Sequence, residues 1–133
     1  MNSTRIVTAF LTHGNKYLIL KRSEKVKSMR NLWAGISGII EGEEEPIYRA
    51  KREILEEAGI TEDKITLLKT GKQMHVESQY ENHEWLIHPF LFSVSDPKIT
   101  LNWENREYAW INISDLSKYQ TVPSLDRVLA SLL

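Results

Sequence analysis

Glu53, Glu56 and Glu57 stand three and four residues apart near the end of a run that begins at Gly38 and closes on Gly59-Ile60. If Pro46 to Ala58 is helical, those spacings bring the three carboxylates onto one face over successive turns. Like charges so placed cost an isolated helix about 0.2–0.5 kcal/mol per pair, so the arrangement makes chemical sense around a hard divalent cation that prefers oxygen ligands. A metal held this way neutralises clustered negative charge on a substrate and acidifies a bound water.

The elements that must position these groups are readable around them. Arg5 to Thr12 and Lys16 to Lys21 are apolar, β-branched runs separated by His13-Gly14-Asn15, the pattern of a hairpin. Ser23 to Arg30 has neither period and reads as a loop, and Ser37 to Ile40 as a short strand. Pro46 suits the first helical position, the acidic residues before it complement the helix dipole, and Gly59 supplies the stop. Ile47, Ala50, Ile54 and Ala58 form an apolar stripe, which places the glutamates on a roughly opposite face, open to solvent or a ligand. Lys64 to Lys69, Gln73 to Ser78, Glu84 to Ser95 and Glu107 to Ile113 are further strand candidates. The third is apolar enough to be central, but Pro89 within it argues for a bulge or an edge there. Leu125, Val128, Leu129 and Leu132 give Pro123 to Leu133 a helical period, so a terminal helix should pack on the sheet. The order predicts an α/β chain with a mixed sheet covered by helices.

The whole chain sets bounds. Its 133 residues fit a single domain over 1–133, and 41% apolar with 26% charged residues is ordinary for a soluble globular protein. A net charge of −1 provides no general field for nucleic acid, so none is expected as a partner. The absence of cysteine excludes disulfides, thiolate metal sites and a cysteine nucleophile. It points to a reducing, cytoplasmic compartment. No apolar stretch approaches the roughly 18–20 residues of a membrane span, so no membrane association is expected.

Gly38, Glu44, Arg52-Glu53-Ile54, Glu56-Glu57 and Gly59-Ile60 fill every fixed place of the pattern Gly-x5-Glu-x7-Arg-Glu-U-x-Glu-Glu-x-Gly-U, in which U is a bulky aliphatic residue. The chain therefore resembles the Nudix, MutT-like hydrolases. A full match of this kind is much more specific than a short glycine motif.

The resemblance implies a Nudix fold, an α/β/α sandwich with a mixed β-sheet, and hydrolysis of the diphosphate linkage in a small nucleoside diphosphate derivative with Mg²⁺ or Mn²⁺. It implies that Glu53, Glu56 and Glu57 bind metal and that Glu44, Gly38 and Gly59 support them. It implies that Arg52 orients a catalytic carboxylate, Glu56 being nearest by spacing. The backbone carbonyl of Ser37, just before the Gly38 turn, is implied as a further metal ligand; Ile36-Ser37-Gly38 replaces the family's usual Pro-Gly-Gly. Relatives take one more glutamate from a later loop as ligand or general base. Glu104 is the candidate, with Glu107 and Glu81 as competitors. Relatives also place a phosphate-binding cation where Arg22 and Lys21 end the second strand. Family members are often homodimers.

Outside the motif, Trp33, Trp85, Trp103 and Trp110 each offer a ring face for stacking on a base, although core roles account for most, and His13, His75, His83 and His88 have no metal-ligand spacing. The family's downstream substrate signatures are absent. His75 stands where an ADP-ribose enzyme has proline, and Tyr80 is too far along for the dinucleoside polyphosphate tyrosine. Near Thr121-Val122-Pro123 the asparagine with which MutT reads guanine is replaced. By elimination the reading is a nucleoside triphosphate pyrophosphohydrolase. The alternatives are a hydrolase of a nucleotide sugar, ADP-ribose or an RNA 5′ end, and a non-catalytic nucleotide-sensing module, which would have lost box glutamates. An isopentenyl diphosphate isomerase would need the missing cysteine.

Overall fold

The computed structural model describes residues 2–77 and 82–133. Among these residues the chain forms eight strands: β1 (Asn2–His13), β2 (Lys16–Arg22), β3 (Trp33–Ala34), β4 (Ile36–Ile39), β5 (Ile65–Thr70), β6 (Met74–Glu77), β7 (His83–Val94) and β8 (Asn105–Ile111). The helices are α1 (Pro46–Ala58) and α2 (Leu125–Ala130), with 3-10 turns at Glu62–Lys64 and Ile113–Lys118. One mixed sheet runs in the order β3-β2-β1-β7-β5, with β4 on β1, β6 on β7 and β8 on β2. The β1–β2 hairpin has the expected turn, Thr12 facing Tyr17, while β1 and β7 pair in parallel from Asn2 with His83 to Thr12 with Ser93.

Period-two alternation divides the core between the two faces of this sheet. Val7, Ala9 and Leu11 of β1, Leu18 and Leu20 of β2, and Phe90, Phe92 and Val94 of β7 pack with Ala50, Ile54 and Ala58 of α1. Their in-between neighbours Phe10, Ile19, Ile87 and Leu91 pack with Leu116, Leu125, Val128 and Leu129 on the other side. Helical layers thus cover both faces, the α/β/α sandwich that the resemblance implies.

Several expectations are corrected by tertiary context. Pro89 lies inside the sheet, not at its edge. β6 pairs with β7 up to Ile87 and β5 takes over at Phe90, so Pro89 fills the gap between two partner strands, where its missing N–H breaks no ladder. The nearby register shift is in β5, between Leu67 and Lys69. The terminal helix is only Leu125–Ala130, and the strand expected to run to Ile113 ends at Ile111, Ile113 opening the 3-10 turn Ile113–Lys118. Helix α1 has the expected bounds. Gly59 closes it in the left-handed region at φ 70°, its N–H donating to the Leu55 carbonyl at 3.1 Å. Among the described residues no helix is long and apolar enough to cross a membrane.

Candidate active site

A cavity of about 650 Å³ opens between α1, β1, β4, β6, β7 and α2. One end is charged, lined by Arg22, Arg49, Arg52, Glu53, Glu56 and Glu104. The other is apolar, formed by Val76, Trp85, Ile87, Val122, Leu125 and Val128. Ser37 and Gly38 of β4 form a wall beside the charged end.

The glutamates do not share an open face. Glu53 is 7% and Glu57 3% exposed, whereas the Glu56 side chain is 41% exposed. At about 100° per residue, Glu57 falls about 20° from Ala50 around the helix, so it sits on the border of the apolar stripe and is carried against the sheet. A buried carboxylate needs partners. Glu57 Oε1 accepts from Asn105 Nδ2 at 3.1 Å, while Oε2 is buried with no hydrogen-bond partner among the described residues. Glu53 Oε2 accepts from Arg49 Nη1 at 3.1 Å. Glu56 Oε1 accepts from Arg52 Nη2 at 3.2 Å, the i,i+4 pair expected from spacing.

Burial pushes the Glu57 carboxyl well above its ordinary 4.5, reinforced by the Glu104 charge and opposed by the Asn105 hydrogen bond. Burial also raises Glu53, with the Glu56 and Glu104 charges adding to the rise and the Arg49 hydrogen bond opposing it. Glu44 is lowered, because Arg49 and the Glu41 N–H bind its charged form. For the raised pair the folded chain holds protons that the unfolded chain has released above pH 4.5. Metal-free protein should therefore lose stability as pH rises above 4.5, by up to about 1.4 kcal/mol per pH unit for each extra proton held. Urea melts in EDTA from pH 4.5 to 8 should show this fall. Glu44, Asp63 and Asp115, shifted downward, act below that window and with the opposite sign.

Gly38 is not where the backbone turns on a positive φ. It lies within β4, and its importance is space: a Cβ there would be 2.2 Å from Glu53 Cδ. Ser37 faces Thr8 in the β1–β4 ladder, and the Ile40 N–H bonds the Arg5 carbonyl at 2.9 Å. Antiparallel alternation then makes Thr8–Ser37 a non-hydrogen-bonded pair, with the Ser37 carbonyl turned away from β1. Glu44 reaches back to Arg49 and to the Glu41 N–H.

Glu104 reaches the charged end, on a turn held by the Asn102 side chain and by Ser23, whose hydroxyl donates to the Trp103 carbonyl at 2.8 Å. Glu107 does not line the cavity; it lies 3.7 Å from Lys21 Nζ, which is likewise outside it. Glu81 and Tyr80 lie outside the described residues. Arg22 lines the cavity, but its Nε and Nη2 donate to the Ser28 carbonyl at 3.3 and 3.1 Å. Trp85 is the one tryptophan in the cavity wall among the described residues. Trp33 packs edge-on against Tyr119, Trp110 donates to the Pro97 carbonyl, and Trp103 is 60% exposed. The four histidines have partners in Val94, Glu84, Thr4 and Gln73.

Two site residues were not found from the sequence. Arg49 was detectable by the i,i+4 rule that linked Arg52 to Glu56. Asn105, 48 residues from Glu57, had no local signal.

A family model for the NUDIX domain matches residues 2–132. The chain belongs to the Nudix family. Members of this family are hydrolases of nucleoside diphosphate derivatives that generally need a divalent metal. Among solved structures, the fold of this Nudix chain is similar to a NUDIX hydrolase from Nitrosomonas europaea (TM-score 0.79, 19% identity, covering 98% of this chain and 88% of that one). It is also similar to a MutT NUDIX hydrolase from Burkholderia pseudomallei (TM-score 0.77, 18% identity, 100% of both chains). A third likeness is an Ap4A hydrolase from C. elegans (TM-score 0.75, 17% identity, 98% of this chain and 94% of that one). No curated protein matches the sequence.

The donor set fits a divalent ion. It is all oxygen, and the orphaned Glu57 Oε2 is the buried acceptor such an ion would satisfy. Among the described residues no three acidic or histidine side chains already form an ion cage.

Proposed function

We propose that this chain hydrolyses the diphosphate linkage of a nucleoside triphosphate with Mg²⁺ or Mn²⁺, working as one domain over residues 1–133. The observation that carries the reading is the division of a single cavity into a carboxylate-lined end and an apolar end containing Trp85. Glu53, Glu56 and Glu57 would hold the metal with the Ser37 carbonyl, and the buried Glu57 oxygen is the strongest support for this. When bound, the ion supplies charge neutralisation at the diphosphate and lowers the pKa of a coordinated water.

The chain's own residues do the rest. Glu104, at the cavity rim, accepts the proton of the attacking water. Arg52 steadies Glu56. Arg22 has one guanidinium nitrogen, Nη1, not engaged by Ser28 and able to contact a phosphate. Trp85, Ile87 and Val122 pack the base and exclude water from it.

Purified protein assayed with and without Mg²⁺ or Mn²⁺ against nucleoside triphosphates, dinucleoside polyphosphates, ADP-ribose and nucleotide sugars tests this. Metal-dependent release of pyrophosphate is expected, fastest with a triphosphate. Faster turnover of a conjugate would move the substrate class. No turnover on any of them would overturn the catalytic reading.

A further inference from the structure

Arg49 occupies one of the unspecified places of the motif, three residues before Arg52. Helical spacing sets Arg49 over Glu53 just as it sets Arg52 over Glu56. The two arginines are used differently. Arg52 is half-exposed and holds Glu56, whereas the Arg49 side chain is 12% exposed, hydrogen-bonds two carboxylates, Glu44 and Glu53, and lies 3.5 Å from a third, Glu41. Nε and Nη2 grip Glu44 Oε1 and Oε2 at 2.6 and 3.0 Å, and Nη1 reaches Glu53 Oε2 at 3.1 Å. Glu44 Oε1 in turn accepts the Glu41 N–H at 2.8 Å. A planar fork matches a carboxylate in two parallel bonds and leaves its remaining nitrogen aimed in a fixed direction, which an ammonium cannot do.

We propose that Arg49 is the positioning residue of Glu53. Anchored on Glu44 and through it on the loop after β4, the guanidinium fixes the Glu53 carboxylate beside Gly38 in the orientation from which it binds the divalent ion. The task of orienting the carboxylates is thus shared between two arginines, and Glu44 serves as the anchor of one of them. This rests on the metal-binding reading above. It goes beyond that reading by making metal affinity depend on two residues that need not touch the ion.

Binding of Mn²⁺ alone, followed by loss of the free-ion electron paramagnetic resonance signal, tests it without substrate. Arg49→Gln is expected to weaken Mn²⁺ binding by about 10–100-fold, the range for partners that orient metal ligands. Arg49→Lys should not restore it, because lysine keeps the charge and lacks the fork. Glu44→Gln should weaken binding comparably, and the double variant should be no worse than either single one. Lys51→Gln, on an exposed ion pair of the same helix, should bind as wild type does. If Arg49→Gln does not fold, Arg49→Lys and Glu44→Gln carry the test, with circular dichroism to confirm their helix content. Wild-type affinity in any folded Arg49 or Glu44 variant overturns the assignment. Wild-type protein that leaves the Mn²⁺ signal free overturns the metal reading itself and this inference with it.

Discussion

Glu57→Gln is expected to remove most turnover while making the metal-free protein more stable, and the two effects should diverge as pH rises. A metal at a phosphoryl centre contributes several kcal/mol of charge stabilisation, and at 1.36 kcal/mol per tenfold the loss of a buried ligand should cost about 10²–10³-fold in kcat. The stability effect has the opposite sign because Glu57 without metal is a buried carboxylate with one oxygen unpartnered and the Glu53 and Glu104 charges nearby. Glutamine keeps an oxygen for Asn105 and has no charge to bury. Its advantage should be small near pH 4.5, where the wild-type carboxyl is still protonated in the folded chain, and should grow toward pH 8. Added Mg²⁺ should reverse the order. Ligand at 100 times its Kd stabilises the wild type by about 2.7 kcal/mol, and the variant should gain less. Melting temperatures with and without metal at pH 5 and pH 8, beside turnover, check all of this. Equal melting temperatures for the two proteins in EDTA at pH 8 would mean that Glu57 carries no buried charge.

How much of this was legible in the sequence depends on the range of the interaction. The bounds of α1 were legible because they are local: Pro46 starts it, Gly59 stops it, and the apolar period between them is helical. The Arg52–Glu56 pair was legible for the same reason. Glu57 was singled out by the motif and misplaced as a surface group, because carboxylates suggest solvent even where the wheel sets one beside Ala50. What keeps Glu57 in place comes from β8, far along the chain, and no local spacing encodes it. Pro89 is a similar case. A proline argues against a central strand until two different neighbours, β5 and β6, meet opposite it.

The role of Gly38 was also hidden, since its reason is spatial rather than conformational, and Gly38→Ala tests that reason directly. Gly59 has φ of 70° and would strain any other residue, whereas Gly38 is not among the positive-φ positions, so its backbone accepts an L side chain. What the new Cβ meets is Glu53, at 2.2 Å from Cδ and 2.4 Å from both Cγ and Oε2. That carboxylate cannot yield freely, because Arg49 holds the same Oε2. Overpacking of a filled site costs about 1–3 kcal/mol, and a displacement near 1 Å at a reacting group costs about 10²-fold in rate. Gly38→Ala should therefore lower the urea midpoint and kcat together. In a Glu53→Ala background the obstructing carboxylate is gone, so adding Gly38→Ala should cost almost no stability, and a double-mutant cycle should recover nearly the whole penalty as coupling between the two residues. Additive penalties would place the strain in the β4 backbone and refute a purely spatial role for this glycine. Coupled penalties would mean that Gly38 and Glu53 act as one steric unit, with the glycine required because the carboxylate must lie against the strand.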